Sequence, residues 1–380
     1  MCDVPALRFP EFSREWKRHK LSEICSFYSG GTPSSSKKEF YNGNIPFIRS
    51  GELHKDKTEL FITEDGLNSS AAKLVEIGDL LLALYGATSG DIAISKIKGA
   101  INQAILCIRT KQNKKFIESV WNKHVERLLQ TYLQGGQGNL SADIVKNIPF
   151  YFADLEEQDK LANFISLLDE RISTQNKIIE KLETLIKGIV ELAFSHAATS
   201  NTLGCYITQI SQRNKIGKNL PVLSVSNKHG FVEQSEQFED RIIASDDTSN
   251  YKIVSINDFA FNPARINVGS IARLKDKECG IVSPMYICFR TSKDILPEYL
   301  ELFFKTVMFS FEVKKRLEGS VRLCLSYESL CEIVIPVISI REQHSLVKMV
   351  TAFYSKLGVE KIFLRRCQSQ RQYLLSQMFI

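Results

Sequence analysis

The sequence lacks the features that would assign it to a membrane or to a disulfide-stabilised scaffold. No apolar stretch in its 380 residues approaches the ~18 residues of a membrane span. Its nine cysteines include no C-x-x-C pair, so neither a zinc knuckle nor a thioredoxin-type redox site is supported. Small buried thiols in a reducing compartment are the simpler expectation. We therefore expect a cytoplasmic protein with no membrane association and no metal site.

Motifs for nucleotide binding and catalysis are also missing. G-x-x-x-x-G-K-[ST], G-x-G-x-x-G, H-E-x-x-H and G-x-S-x-G do not occur. An amino-methylating enzyme would carry Asn-Pro-Pro-aromatic, and the nearest match, Phe261–Ala264 (FNPA), lacks the second proline and the aromatic residue. We expect no catalytic residue and no cofactor in this chain. The formal net charge of +6 permits a polyanionic partner without proving one.

An internal repeat is present instead. The stretch that begins at Leu140 (LSADIVKNIPFYFADLEEQDKLANF) matches the one that begins at Leu325 (LSYESLCEIVIPVISIREQHSLVKM) at an offset of 185 without a gap. Weaker matches lie upstream: Ile45–Leu53 with Leu220–Lys228 at an offset of 175, Gly78–Ile94 with Asn257–Arg273 at 179, and Gly99–Thr110 with Gly280–Thr291 at 181. The offset rises in steps, as expected when small insertions lie in loops between shared elements.

Each half ends in a long segment with a strict 4-3 apolar pattern. The pattern occupies Leu161, Ile165, Leu168, Ile172, Gln175, Ile179, Leu182, Ile186, Ile189 and Ala193 in the first half, and Leu346, Val350, Phe353, Leu357, Glu360, Leu364, Cys367, Arg371, Leu374 and Met378 in the second. Such a repeat over about five heptads predicts a coiled-coil seam, because a globular helix would drift toward 3.6 residues per turn. Arg371 leaves two alternatives: this end of the helix faces solvent or a partner, or the seam stops early.

Upstream of each long helix, short β-type runs alternate with glycine-rich turns, and one amphipathic helix follows, at Lys114–Gln134 and at Pro297–Gly319. The predicted fold class is therefore α+β, with two similar globular domains. Two halves in one chain most simply pack about a pseudo-twofold axis, with their long helices antiparallel in a coiled coil. The predicted segments are residues 1–153 and 197–337 for the domains, and 154–196 and 338–380 for the central and C-terminal long helices.

In these features the chain resembles a known family, the specificity subunits of Type I restriction–modification systems. The resemblance covers nearly the whole length and rests on the order of several motifs in two halves: Trp16–Ile24 (WKRHKLSEI), Ile45–Leu53 (IPFIRSGEL), Gly86–Ile94 (GATSGDIAI), Ile101–Arg109 (INQAILCIR) and Asn147–Ile172 (NIPFYFADLEEQDKLANFISLLDERI). Each motif alone is weak, whereas their repeated order is specific.

The resemblance implies a function. Each domain would be a target recognition domain for one half of a split double-stranded DNA sequence, and the helix pair would set the unrecognised spacer. Two adenine methyltransferase subunits, and optionally translocating endonuclease subunits, would be the partners. S-adenosylmethionine, ATP and Mg²⁺ would bind those partners. Ser224 stands where the first half has Arg49, and Pro284 where it has Gln103, so the two half-sites should differ and the target should not be a palindrome.

Candidate DNA-binding residues lie in loops that combine glycine with Arg, Lys, Asn, Gln, Ser and Thr, because such loops approach DNA closely and supply hydrogen bonds. In the first domain they are Tyr28, Gly30, Gly31, Thr32, Ser34, Lys37, Arg49, Ser50, Thr88, Ser89, Asn102, Gln103, Gln137 and Asn139. In the second domain they are Arg213, Asn214, Lys215, Lys218, Asn227, Lys228, Arg265, Asn267 and Arg322. For each of them a structural role, such as a turn or an ion pair of Arg49, is the alternative.

Two other functions fit the same architecture. A stand-alone regulatory or anti-restriction protein would bind its DNA site tightly with no methyltransferase present. A scaffold in which the coiled coil is the functional surface would show no affinity for DNA at any salt concentration. A fused restriction–modification enzyme is disfavoured by the missing catalytic tetrad and cofactor loop.

Overall fold

The computed structural model describes residues 4–132, 140–196, 199–217, 219–227, 229–233, 248–319 and 323–380. The chain divides into two compact units. Unit 1 comprises Met1–Asn176 and Ile362–Ile380, and unit 2 comprises Lys177–Lys361. Each unit thus contains one globular part and a portion of both long helices. Among the described residues, no helix is both long and apolar enough to cross a membrane.

Within residues 4–132 and 140–153, the globular part of unit 1 has ten strands and four α-helices. The strands are β1 (Lys17–Lys20), β2 (Cys25–Ser29), β3 (Tyr41–Ile48), β4 (Phe61–Ile62), β5 (Lys73–Val75), β6 (Leu80–Ala83), β7 (Ile92–Ile94), β8 (Gly99–Ile101), β9 (Ile105–Thr110) and β10 (Pro149–Phe152). The helices are α1 (Leu21–Ile24), α2 (Glu64–Asn68), α3 (Lys114–Tyr132) and α4 (Ala142–Asn147). The first long helix, α5 (Leu155–Ser195), follows.

Unit 2 repeats this order. Its strands are β11 (Thr199–Thr202), β12 (Ile207–Ile210), β13 (Val222–Ser226), β14 (Gly230–Glu233), β15 (Lys252–Ser255), β16 (Phe259–Phe261), β17 (Ile271–Arg273), β18 (Cys279–Val282), β19 (Ile287–Thr291) and β20 (Val334–Val337). Its shorter helices are α6 (Pro297–Phe303), α7 (Val307–Lys315) and α8 (Tyr327–Cys331), and the second long helix is α9 (Ile340–Met378).

The sheets of the two units have one topology. Unit 1 has the strand orders β4-β3-β8-β5, β2-β9-β6-β7 and β1-β10, and unit 2 has β14-β13-β18-β15, β12-β19-β16-β17 and β11-β20. The parallel pair occurs at the same place in both, between β3 and β8 and between β13 and β18. Ile48 pairs with Ile101 and Leu223 with Val282, which reproduces the sequence offsets of 175 and 181. The predicted α+β class and the internal repeat are confirmed.

The long helices carry the predicted seam. Within the described part of the chain, none of the seam positions named above is exposed. In unit 1 the helices run antiparallel. Asp169 of α5 pairs with Arg371 of α9. Arg171 follows Asp169 on α5, and it lies over the ring of Phe363, which precedes Arg371 on α9. The ion pair with Asp169 also shows that Arg371 contacts the opposite helix. The seam continues through it as a partly buried pair.

One predicted helix is interrupted. The sequence predicts a single helix over Pro297–Gly319, whereas the structure has α6 and α7 with a break between them. Thr306 is extended at this point, and its hydroxyl oxygen accepts from the Phe309 backbone N–H at 3.1 Å. A threonine that caps a new helix competes with continuation of the old one, so this prediction was wrong.

Candidate nucleic-acid interface

In unit 1, the parallel strands β3 and β8 end at the same sheet edge. Because Ile48 is paired with Ile101, the residues that follow, Arg49 and Asn102, leave the sheet side by side. The Asn102 side chain accepts from the Ala104 N–H at 3.1 Å and holds the turn into β9. Ser50 begins a short 3₁₀ helix, Ser50–Glu52, directly after Arg49.

The glycine pair brings a third segment to this edge. A Cβ on Gly30 would lie 1.8 Å from the Ile101 carbonyl oxygen, and one on Gly31 would lie 2.6 Å from the Ala71 Cβ. Only glycine allows this close approach. The next residue, Thr32, is exposed, and its hydroxyl donates to Gln103 Oε1 at 2.6 Å. Residues 30–32 and 101–103 therefore form one surface.

The loop that follows β6 joins the same region. The Leu84 N–H donates to the Ala104 carbonyl at 2.8 Å, which starts this loop beside the Asn102 turn. Inside the loop, the Ser89 hydroxyl donates to the Leu84 carbonyl at 2.9 Å and the Thr88 carbonyl accepts from the Asp91 N–H at 2.9 Å. Gly86 and Gly90 adopt positive φ values of 82° and 85°, a conformation that favours glycine.

Arg49 is held by carboxylates in this state. Its Nη2 lies 3.0 Å from Glu52 Oε1 and 3.6 Å from Glu59 Oε2, and about half of its side chain is exposed. Glu52 is buried and also accepts from the Thr58 hydroxyl at 3.0 Å. Burial alone would raise the pKa of Glu52, but the hydrogen bonds from Arg49 and Thr58 outweigh it and lower the pKa to about 2. The buried and hydrogen-bonded Glu52 therefore fixes the position of the Arg49 side chain.

Three other first-domain candidates make contacts of a different kind. The Tyr28 hydroxyl donates to the Leu74 carbonyl at 3.0 Å, its ring packs against a core cluster, and burial raises its pKa. Lys37 lies with its ammonium 4.9 Å from the ring centroid of Phe40. The Ser34 hydroxyl is 2.8 Å from that of Ser36. These contacts involve neither Arg49 nor Asn102, so they do not tie the three side chains to the edge.

A basic loop that follows the Ser50–Glu52 helix is not among the DNA-binding candidates predicted from the sequence. Residues 54–57 (HKDK) follow the 3₁₀ helix and are exposed, with two lysines, Lys55 and Lys57. Buried Thr58 anchors the end of this loop, because its hydroxyl donates to Glu52 Oε2 at 3.0 Å and accepts from the Leu60 N–H at 3.3 Å. The signal that could have found it is a short basic run a few residues after Arg49.

Unit 2 builds the corresponding edge from different side chains. Ser224 and Pro284 occupy the positions of Arg49 and Gln103, given the shared strand register. The loops that follow β13 and β16 meet there: the Ser270 hydroxyl donates to the Val225 carbonyl at 3.2 Å, and a Cβ on Gly269 would lie 3.8 Å from the Asn227 Cβ. The exposed candidates Asn227, Arg265 and Asn267 belong to these two loops.

Three further second-domain candidates, Arg213, Asn214 and Lys215, lie before β13. Arg213 Nη1 donates to Asn250 Oδ1 at 3.1 Å, and Lys215 is exposed. Asn214 is 1% exposed, and its backbone N–H donates to the Tyr251 carbonyl at 2.9 Å, which indicates a place in the loop's own packing. Five candidates lie outside the described residues: Gln137, Asn139, Lys218, Lys228 and Arg322.

The arrangement offers hydrogen-bond donors, acceptors and cations at a sheet edge, which suits contacts to bases and phosphates. The described residues contain no group of three or more His, Cys, Asp or Glu side chains placed to hold a metal ion. Apart from Tyr28, which lies in β2, the described recognition candidates sit on loops next to strands, the usual position of binding residues.

The fold is similar to solved structures from Type I restriction–modification systems. The S subunit from M. genitalium superposes with a TM-score of 0.61 over 99% of each chain, at 18% identity. A chain from a structure of complex assembly and conformational transition of the Type I R-M system gives a TM-score of 0.57 over 96% of this chain and 97% of that one, at 14% identity. The similarity to these structures is therefore one of fold.

Sequence comparison finds similarity to proteins of the same systems. Residues 13–184 match the model of the Type I restriction modification DNA specificity domain. The chain is 28% identical over 187 residues to the EcoR124I/EcoR124II specificity subunit of Escherichia coli, and 24% identical over 204 residues to the MjaVIII specificity subunit of Methanocaldococcus jannaschii. These matches cover 46% and 51% of this chain, and 45% and 44% of the relatives.

The chain therefore matches about half of the length of these curated relatives. Residues 13–184 are thus similar to the Type I restriction modification DNA specificity domain, and the resemblance to specificity subunits that the sequence indicated is confirmed.

Proposed function

We propose that this chain recognises a bipartite, asymmetric DNA sequence as the specificity subunit of a Type I restriction–modification complex. The observation that carries the proposal is that one sheet edge is built twice, with the same strand topology but different side chains. The equivalent sheet edges of the two units would face DNA in the same way. They would contact different bases, because Ser224 replaces Arg49 and Pro284 replaces Gln103 in unit 2. Two different half-sites follow.

The chain itself would be non-catalytic. Two methyltransferase subunits would bind S-adenosylmethionine and modify adenine, and endonuclease–translocase subunits, where present, would use ATP and Mg²⁺ to cleave. The similarity to an S subunit and to a chain from a structure of R-M complex assembly supports this division. The complex would act in the cytoplasm, where it meets DNA.

Methylome sequencing tests the proposal. A strain without restriction systems would express this chain together with a cognate methyltransferase subunit. The expected result is one methylated adenine motif with two specified parts, an unspecified gap and no palindromic symmetry. The matched control expresses the methyltransferase without this chain and should yield no such motif. Methylation that is identical with and without this chain would refute the proposal.

A further inference from the structure

The exposed loop 54–57 and the loop 84–91 are joined by one side-chain pair. His54 Nε2 lies 2.8 Å from Asp91 Oδ1, and the two side chains are 63% and 36% exposed. His54 follows buried Leu53 and opens the loop that carries Lys55 and Lys57. Asp91 ends the other loop, directly after Gly90. The pair therefore ties the basic loop to the loop that carries Thr88 and Ser89.

The main chain around Asp91 does not depend on its carboxylate. The Asp91 N–H donates to the Thr88 carbonyl at 2.9 Å, and its carbonyl accepts from the Ala83 N–H at 2.8 Å. The 84–91 loop is thus held by its own backbone. Loop 54–57 has less support at its start, where the Lys55 N–H donates to the Glu52 carbonyl at 3.0 Å and Lys96 Nζ reaches the His54 carbonyl at 3.4 Å.

We propose that the His54–Asp91 pair is a positioning device that holds the basic loop 54–57 in place for contact with DNA. This inference rests on the proposed function. His54 and Asp91 act through Lys55 and Lys57, whose exposed ammonium groups would meet phosphates. Because the pair is exposed, its loss should weaken binding about two- to fivefold rather than abolish it.

The device should respond to pH. Three charged groups face the imidazole: Asp91, Glu118 of α3, and Lys96. The hydrogen bond with Asp91 is the main cause that raises the pKa of His54; burial and Lys96 oppose it, and Glu118 assists. A raised pKa means that the charged pair is complete below the ordinary histidine value of about 6.5 and is lost as pH rises through the higher value in the folded chain.

The Asp91→Asn variant distinguishes a positioning role of Asp91 from a purely electrostatic effect of its charge on DNA binding. Removal of a negative charge near DNA should strengthen binding if only electrostatics matters, because DNA is a polyanion. The positioning role predicts the opposite sign: weaker binding by Asp91→Asn and by His54→Gln, and little further loss in the double variant. Glu23→Gln is the matched control, since Glu23 forms an exposed pair with His19 at 3.1 Å.

The assay uses the complex of this chain with its methyltransferase subunits. Its affinity for a labelled duplex that carries the methylated motif, and for an unrelated duplex, would be measured by fluorescence anisotropy from pH 6 to 8.5. We expect wild type to lose affinity as pH rises, Asp91→Asn to be weaker at pH 6 with a flatter profile, and Glu23→Gln to resemble wild type. Hydrogen exchange of residues 53–57 and unchanged thermal unfolding would show that only the loop is released.

The outcomes distinguish the two proposals. A wild-type complex that does not prefer its motif to the unrelated duplex would refute the proposed function, and the inference with it. If wild type does prefer its motif but Asp91→Asn binds equally well or more tightly at pH 6, the positioning role alone is overturned.

Discussion

At the residue scale, both units use the same interior contacts. Gln158 Nε2 donates to the Ala153 carbonyl at 2.7 Å and Gln343 Nε2 to the Ile338 carbonyl at 2.9 Å. Their Oε1 atoms accept from the backbone N–H groups of Asn113 and Leu296, which lie just before α3 and α6. Each buried glutamine thus uses both its Nε2 and its Oε1 in hydrogen bonds to the backbone, which fixes the position of the residue before α3 or α6. The repeat is therefore one of internal chemistry as well as of strand order.

Glu52 supports the recognition edge, and its loss should be measurable as a loss of stability. Glu52→Gln should lower the free energy of unfolding by about 1–3 kcal/mol at pH 7, because buried hydrogen bonds to a charged group are lost. The pKa of about 2 lies below the ordinary 4.5, so this stabilisation is present above about pH 4.5 and disappears as pH falls toward 2. Chemical denaturation at pH 7 and pH 3 checks both statements. Glu59→Gln, 82% exposed, should change little at either pH.

Arg49 has a separate test. If it contacts a guanine, Arg49→Ala should cost about 1–3 kcal/mol of binding and relax one position of one half-site. If it contacts a phosphate, binding should weaken evenly across sequences and the salt dependence should become shallower. Methylome sequencing of the variant, with binding assays at several salt concentrations, separates these results. Unchanged affinity, motif and salt dependence would leave Arg49 with only its role beside Glu52.

The helix seam and the strands could be predicted from the sequence, whereas the contacts of the loop residues could not, for a physical reason. Seam residues and strand residues repeat with fixed periods, so the periodicity alone places Leu161 and Ile165 on the seam. Tyr28 and Asn214 share the composition of recognition loops but are taken up by packing, and composition does not distinguish the two roles. His54 and Asp91 are 37 residues apart, and only the folded backbone reveals their contact.

At the element scale, the ends of the long helices are anchored by equivalent aromatic residues. Phe379, just after α9, lies in a ring cluster of unit 1 with centroids 5.4 Å from Phe116 and 6.4 Å from Trp16. Phe194, near the end of α5, lies in unit 2 with centroids 4.7 Å from Tyr299 and 5.3 Å from Phe303. The two anchors are 185 positions apart, the offset of the repeat. Both phenylalanines are 2% exposed or less.

Removal of either anchor should cost a large part of the stability. Phe379→Ala and Phe194→Ala should each lower the free energy of unfolding by about 3–5 kcal/mol, because a buried aromatic ring is replaced by a cavity. Tyr373→Ala is the control, since Tyr373 lies near the end of α9 but is 61% exposed. Denaturant titration with circular dichroism measures all three. A Phe379→Ala variant as stable as Tyr373→Ala would contradict the anchoring role.

At the scale of the whole molecule, each globular part should recognise its half-site independently. The strands of one unit pair only with strands of the same unit in the described chain, so substitutions in separate units should have nearly additive effects. Replacement of residues 1 to about 153 by the matching part of a related subunit should change one half-site and preserve the other. The gap should persist because both long helices remain. A chimera that methylates efficiently with both half-sites altered would contradict independence.

The difference between Arg49 and Ser224 has a consequence for the duplex itself. A protein with two identical edges could bind a site in either of two equivalent orientations. With unlike edges, only one orientation satisfies both, so the complex would impose a direction on the DNA. Upstream and downstream flanks would then be distinguishable to any partner that moves along the helix, although the double helix has no such polarity of its own.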